Sequence, residues 1–331
     1  RCDPAVAVVP RPACLGFPKC VSSFTTGFRF HRTVIFLSRR CLRRRVRTIS
    51  VRIAHITDTH LLESDHFSRS ARHMLRVNFL SFGRAKDAAD RRYRLLRAIC
   101  QAEEAGATHF LMTGDMTEDG LPSQYESLAE VLSESGVEPE RITLVPGNHD
   151  LYTDVHAWNL ALSGPLAPWA TTSRLGSLIV REGIAILPVS TSFKQHYLFS
   201  GGRLGVHNAR RVDWAAREAK ALRCALAIGL HHPIFPYPVS VGTWWDGLRD
   251  HQVMLDLLRE HRETFVFHGH IHREVTRAVA PSSHAQVFCA RATVDSDVLY
   301  RLYDVEDEMI LPVEGLGGDE FLRQELPIAA E

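Results

Sequence analysis

The stretch 142–150, ITLVPGNHD, runs four β-favouring residues straight into Gly147-Asn148-His149-Asp150. A short run of that kind bounded by turn residues reads as a buried strand. Its exit is unusual in offering lone pairs rather than ordinary loop filler. The same arrangement recurs outward along the chain. The run 51–57 ends in Asp58-Thr59-His60, 108–113 in Gly114-Asp115, 225–230 in His231-His232-Pro233, and 264–267 leads to Gly269-His270-Ile271-His272. A sixth run covers 184–189. Apolar residues spaced three and four apart predict helices at about 90–105, 122–135, 208–223 and 247–261, and extended stretches follow at 286–290 and 298–304. Strands alternating with helices describe a layered α/β domain, and the strand-rich end implies a mixed sheet. Ligand sites in such folds gather at the carboxyl ends of strands, so the polar exits are expected to converge.

Their chemistry suits metal ions. Carboxylate, amide and imidazole without thiolate select borderline ions such as Mn, Fe, Zn or Ni over a structural zinc site. Asp58/His60 and His270/His272 stand two residues apart. On extended backbone that spacing points both side chains to one side. Asp115, alone after Gly114, has two oxygens with which to bridge a pair of ions, the arrangement that clamps attacking and leaving oxygens in phosphoryl transfer. Each motif alone is weak; the set, each member at a strand end, is specific.

With these residues in place the chain resembles the calcineurin-like metallophosphoesterases. The resemblance rests on Asp58 and His60, Gly114-Asp115 with Glu118, Gly147-Asn148-His149-Asp150, His231, and Gly269-His270 with His272, and so spans 58–272. It implies two mixed β-sheets in a sandwich flanked by helices. It also implies two divalent or trivalent transition-metal ions (Mn, Fe or Zn), one held by Asp58, His60, Asp115 and His272 and the other by Asp115, Asn148, His231 and His270. His149 matches the family's catalytic histidine, which protonates the leaving alkoxide. Glu118 stands where related enzymes place an acid that orients that histidine, although many carry Asp there. The implied reaction is hydrolysis of a phosphate mono- or diester by a hydroxide bridging the metals. The compact Gly-Asn-His-Asp and Gly-His-Ile-His pattern is similar to bacterial phosphodiesterases acting on cyclic nucleotides and other small diesters.

The remainder bounds that reading. Of 331 residues 45% are hydrophobic and 23% charged, the balance of a globular protein. No apolar run reaches the roughly 18 residues of a membrane span. The net charge of +1 hides a strongly basic segment at 1–48, with eleven Arg or Lys and one acid, against 28 basic and 37 acidic residues in the rest. An acidic body argues against a nucleic-acid partner; the small phosphate-ester substrate is what the resemblance implies. The chain divides into a basic leader at 1–48, disordered or targeting, a catalytic domain at 49–310 and a tail at 311–331. Cys100, Cys224 and Cys289 are widely spaced without CxxC, as in a reduced, cytoplasmic protein.

Two segments lie outside the shared motifs. Residues 61–90 hold Arg69, Arg72, Arg76 and Arg84 among Phe67, Leu75, Phe79 and Phe82. Part of them, near 68–82, reads as a basic amphipathic helix, either a lid that recognises an anionic or lipid-bearing substrate or a packed helix with its arginines in solvent. The basic segments also offer peripheral contact with membrane lipid. In 233–245 the aromatics, including Trp244 and Trp245, either stack on a nucleobase or close the core. His55, His109 and His268 lack a partner pattern and are expected to be structural. The competing readings are a catalytically silent scaffold on the same fold and a lipid-facing phosphoesterase.

Overall fold

The computed structural model describes residues 51–281 and 283–313. The expected leader at 1–48 and most of the expected tail lie outside them. In chain order the strands are β1 (Val51–Ile56), β2 (His109–Thr113), β3 (Ile142–Val145), β4 (Ile179–Arg181), β5 (Ile184–Pro188), β6 (Ala225–Gly229), β7 (Thr264–His268), β8 (Val275–Ala278), β9 (Gln286–Cys289), β10 (Arg301–Glu306) and β11 (Met309–Pro312). The helices are α1 (Ala71–Leu80), α2 (Ala88–Glu104), α3 (Pro122–Glu134), α4 (Ala157–Ser163), α5 (Gly205–Leu222), α6 (Ser240–Asp246) and α7 (His251–Glu260).

Strand alternation builds two faces from one run of residues. In β1, Val51 and Ile53 enter one apolar cluster, while Ala54 and Ile56 enter another formed with α2, α3 and α4. In β6, Ala225 and Ala227 join the Val51–Ile53 cluster, and Leu226 and Ile228 pack with α5 and α7. The result is two sheets sharing an apolar seam, with helices outside each. One sheet has the order β11-β10-β1-β2-β3, the other β4-β5-β6-β7-β9-β8. Both are mixed: β1-β2-β3 and β5-β6-β7-β9 run parallel, and the flanking strands run antiparallel. Phe267, Phe288 and Tyr303 fill the seam with ring centroids 4.7–5.2 Å apart. Such pairs contribute about 0.5–1.5 kcal/mol each beyond area burial.

The two-sheet sandwich agrees with the expected fold. Differences concern short elements and edges. The brief strands β4, β8 and β11 and the helices α4 and α6 were not expected. β11 carries its sheet to Pro312, past the boundary expected at 310. No helix among the described residues is long and apolar enough to cross a membrane.

The segment 61–90 differs more. Arg69, Arg76 and Arg84 face inward rather than solvent: Arg69 pairs with Glu63 and Asp119, Arg76 with Asp119, and Arg84 with Glu118. Phe67, Leu75, Phe79 and Phe82 are exposed instead. The physical reason lies in Asp119, Glu118 and Glu63, which the fold buries and which demand cations as partners. Trp244 and Trp245 are about half exposed and do not close the core.

Candidate metal centre

All the polar exits meet. Backbone hydrogen bonds link Asp58 N to Gly114 O (3.1 Å), His60 N to Asp115 O (2.9 Å) and Gly269 N to His231 O (3.1 Å). The two sheets are joined when His270 N donates to Asp58 Oδ2 at 3.0 Å. Approach this close leaves no room for side chains at two turns. A Cβ on Gly147 would strike the Asp115 carboxylate, and one on Gly114, where φ is +91°, would strike the His231 ring.

The side chains reach the centre by another route than extended backbone. Asp58, His60, Asp115, His270 and His272 all have positive φ, between 46° and 75°. They make up five of the eight such non-glycine residues among those described. A left-handed residue costs about 1–3 kcal/mol and persists only where its surroundings hold it. The strain is thus concentrated on the residues expected to bind metal.

Three acid–imidazole groups result, each with donor atoms close enough to share one ion: Asp58 with His60 and His272, Asp115 with His231 and His270, and His60 with Asp115 and His149. Asp115 Oδ2 is the common point, 3.2 Å from His231 Nε2, 3.8 Å from His149 Nε2 and 4.0 Å from His60 Nε2. His272 Nε2 lies 3.6 Å from Asp58 Oδ1.

The atoms left without partners test whether cations fit. Both ring nitrogens of His60 are buried and lack a hydrogen bond, as does Asn148 Oδ1. Asn148 Nδ2 donates to Tyr152 Oη at 2.7 Å, so its oxygen is the atom turned free. An unsatisfied buried polar atom costs about 1–3 kcal/mol. Cations among these nitrogens and oxygens would relieve that cost, and the thiolate-free donor set suits Mn, Fe or Zn.

Outer contacts orient the rings. His231 Nδ1 donates to Thr113 O (2.8 Å) and His149 Nδ1 to Glu118 O (2.7 Å), leaving each Nε2 facing Asp115. Ligating histidines characteristically give their second N–H to a carbonyl or carboxylate. Glu118 departs from expectation here. Its backbone carbonyl, not its carboxylate, holds His149, because the carboxylate is drawn to Arg91 Nη1 at 2.6 Å and Arg84 Nη2 at 3.2 Å. It also lies 3.6 Å from His60 Nδ1. Asp150 ties two of the turns together, accepting from Gly147 N (2.8 Å) and Thr117 N (2.9 Å).

Sequence reading missed Asp246 and Asp295. Asp246 Oδ1 is 3.0 Å from His270 Nε2, and Asp295 Oδ2 is 3.0 Å from His272 Nδ1. His232, the neighbour of His231, is buried with both nitrogens engaged, by Thr191 Oγ1 and Ser200 O. His55 and His109 bond Thr113 and Thr143 and are structural, and burial pushes each down to about 3.

Without metal, protons take the cations' place. Burial opposes charge on His231 and His272, but Asp115 and Asp58 outweigh it and raise the imidazoles to about 9 and about 10. These lie above the ordinary 6.5, so the stabilisation is complete below 6.5 and is lost as pH rises through 9 and 10. Metal binding must expel the same protons. Chelator-treated protein is therefore expected to lose thermal stability from about pH 6.5 to 10, so the Tm gained on adding manganese grows with pH. Equal gains at both ends of that range would contradict the pairing.

A model of the calcineurin-like phosphoesterase family matches residues 51–274. A Rhodococcus erythropolis protein named "Probable cyclic nucleotide phosphodiesterase" is 24% identical over 252 residues, covering 74% of this chain and 73% of its own. A 3',5'-cyclic-nucleotide phosphodiesterase of Nostoc sp. is 28% identical over 235 residues, 69% of this chain and 74% of its own. A dimetal phosphatase from Danio rerio has a similar fold, with a TM-score of 0.57 at 15% identity over 78% of this chain and 94% of that one.

Proposed function

The chain belongs to the calcineurin-like phosphoesterase family, and from that membership we propose that it hydrolyses small phosphodiesters, 3',5'-cyclic nucleotides among them, with two metal ions. The carrying observation is the pair of acid–imidazole groups joined through Asp115, with buried His60 and Asn148 atoms lacking partners. Asp58, His60, Asp115 and His272 would hold one ion, and Asp115, Asn148, His231 and His270 the other. Such ions, when bound, supply the Lewis acidity that makes a water-derived nucleophile available near neutral pH and spreads phosphoryl charge.

The chain's own residues do the rest. Asp246 and Asp295 fix the His270 and His272 rings. His149, turned by the Glu118 carbonyl, presents Nε2 to the leaving oxygen and gives up a proton there. Burial lowers His149 below the ordinary imidazole value despite the Asp115 charge, which makes its protonated form a stronger acid but a less populated one. The cavity over these residues is ≈410 Å³, and Phe79, Tyr197 and Trp245 in its wall offer apolar surface to the organic part of an ester. The names of the Rhodococcus and Nostoc relatives support a cyclic nucleotide as that ester.

The test is manganese-dependent hydrolysis of bis(p-nitrophenyl) phosphate, p-nitrophenyl phosphate and 3',5'-cyclic AMP, each with and without a chelator. Chelator-sensitive turnover favouring the diesters is expected. A clear preference for the monoester would move the assignment to a phosphatase. Two bound ions with no turnover of any ester would defeat it.

A further inference from the structure

The turn between α1 and α2 carries Arg84 into the wall of the cavity that holds His60, Asp115, His149, His270 and His272. Its side chain is 10% exposed. Nη2 donates to Leu80 O and Glu118 Oε1, whereas Nε is buried without a hydrogen-bond partner.

Its one carboxylate partner is shared. Glu118 already receives Arg91 Nη1 at 2.6 Å, and Arg91 spends its remaining donors on Ala85 O, His60 O and Ser81 Oγ. Two guanidinium groups therefore share one carboxylate. Nearby, Arg69 and Arg76 face Glu63 and Asp119, two against two. Arg76 Nε is also buried without a partner, but Arg76 is matched in charge and does not line the cavity. Arg84 alone of the four combines a shared carboxylate partner, an idle buried donor and a place in the cavity wall.

A buried guanidinium that shares its carboxylate and leaves a donor unpaired is stabilised when a further anionic group joins it. A phosphoryl group supplies both the charge and the acceptor atoms, and a guanidinium fork matches its oxygens.

We propose that Arg84 binds a non-bridging oxygen of the substrate's phosphoryl group. It is thus a substrate-binding residue contributed by the segment 61–90 rather than by the metal-binding turns. The identity of the anion as a scissile ester rests on the proposed function; the anion site itself does not.

The experiment compares the manganese-loaded full chain with Arg84→Lys and Arg84→Met. It reads bound manganese, the calorimetric Kd for inorganic phosphate, and KM and kcat for bis(p-nitrophenyl) phosphate. Both variants should keep wild-type manganese. Phosphate affinity should fall about 10–100-fold in Arg84→Met and less in Arg84→Lys, with the diester KM rising in step. Unchanged phosphate affinity in Arg84→Met would overturn the proposal. So would loss of manganese from both variants, since Arg84 would then be a brace for Glu118 and His60. A wild-type protein that binds phosphate but cleaves no ester defeats the reaction assignment alone, and the phosphate comparison still decides Arg84.

Discussion

Asp115→Asn is expected to cost the protein bound metal and to lower diester hydrolysis by about a thousandfold or more. The substitution keeps the shape of the side chain and changes only its charge and one acceptor oxygen, which becomes an N–H donor group. Asp115 Oδ1 accepts from His149 N at 2.9 Å, a bond that an amide oxygen can keep. The amide nitrogen would then take the place of Oδ2, which lies 3.2 Å from His231 Nε2 and 4.0 Å from His60 Nε2. There it would offer N–H donors where cations need lone pairs, and it would remove the negative charge that both acid–imidazole groups around it share. The Asp58–His60–His272 group is untouched, so partial retention of one ion is compatible with the assignment. Elemental analysis of the purified protein, rates on bis(p-nitrophenyl) phosphate and a thermal melt decide the matter together. Two equivalents of manganese with near wild-type turnover would show that Asp115 is not the shared ligand. A lowered melting temperature alone would report only on folding.

Much of this centre was legible because it is local. A strand followed at once by Gly-Asn-His-Asp or Gly-His-Ile-His announces the motif's place at a strand end and its chemistry within nine residues. The backbone at Asp58, His60, His270 and His272 was misread for the same reason. Spacing of two is what an extended strand gives, and nothing in the letters reveals that these residues turn left-handed. Asp246 and Asp295 escaped notice because their partners lie 24 and 23 positions away, where pairing is decided by tertiary structure. The inward turn of Arg69, Arg76 and Arg84 is the sharpest case. Periodicity assigns charge to solvent by default. Here Glu63, Glu118 and Asp119, buried at the rim of the centre, reverse that default and leave Phe67, Leu75 and Phe82 outside. The short strands β4, β8 and β11 lie at sheet edges with most of their residues unburied, so burial imposes less pattern on them than on β3, which is no longer but buried throughout.

His149→Ala separates chemistry from metal binding. The residue touches the centre without being needed to close either proposed ligand set. Its Nδ1 is committed to Glu118 O, and its Nε2 stands 3.8 Å from Asp115 Oδ2. Removing the ring should leave both ions in place and lower kcat by about 10²–10⁴-fold, the usual range for a lost general acid. The dependence on leaving group makes the assignment specific. A p-nitrophenolate departs with little help from a proton, whereas the ribose oxygen of a cyclic nucleotide is a far more basic alkoxide. The variant should consequently lose much more activity on 3',5'-cyclic AMP than on bis(p-nitrophenyl) phosphate. Equal losses on the two would mean that His149 steadies the phosphoryl oxygens rather than delivering a proton. Full activity on the cyclic nucleotide would remove His149 from the mechanism, and the search for the acid would turn to Tyr152 in the same cavity wall, where burial pushes the phenol up and makes it a poor donor by comparison.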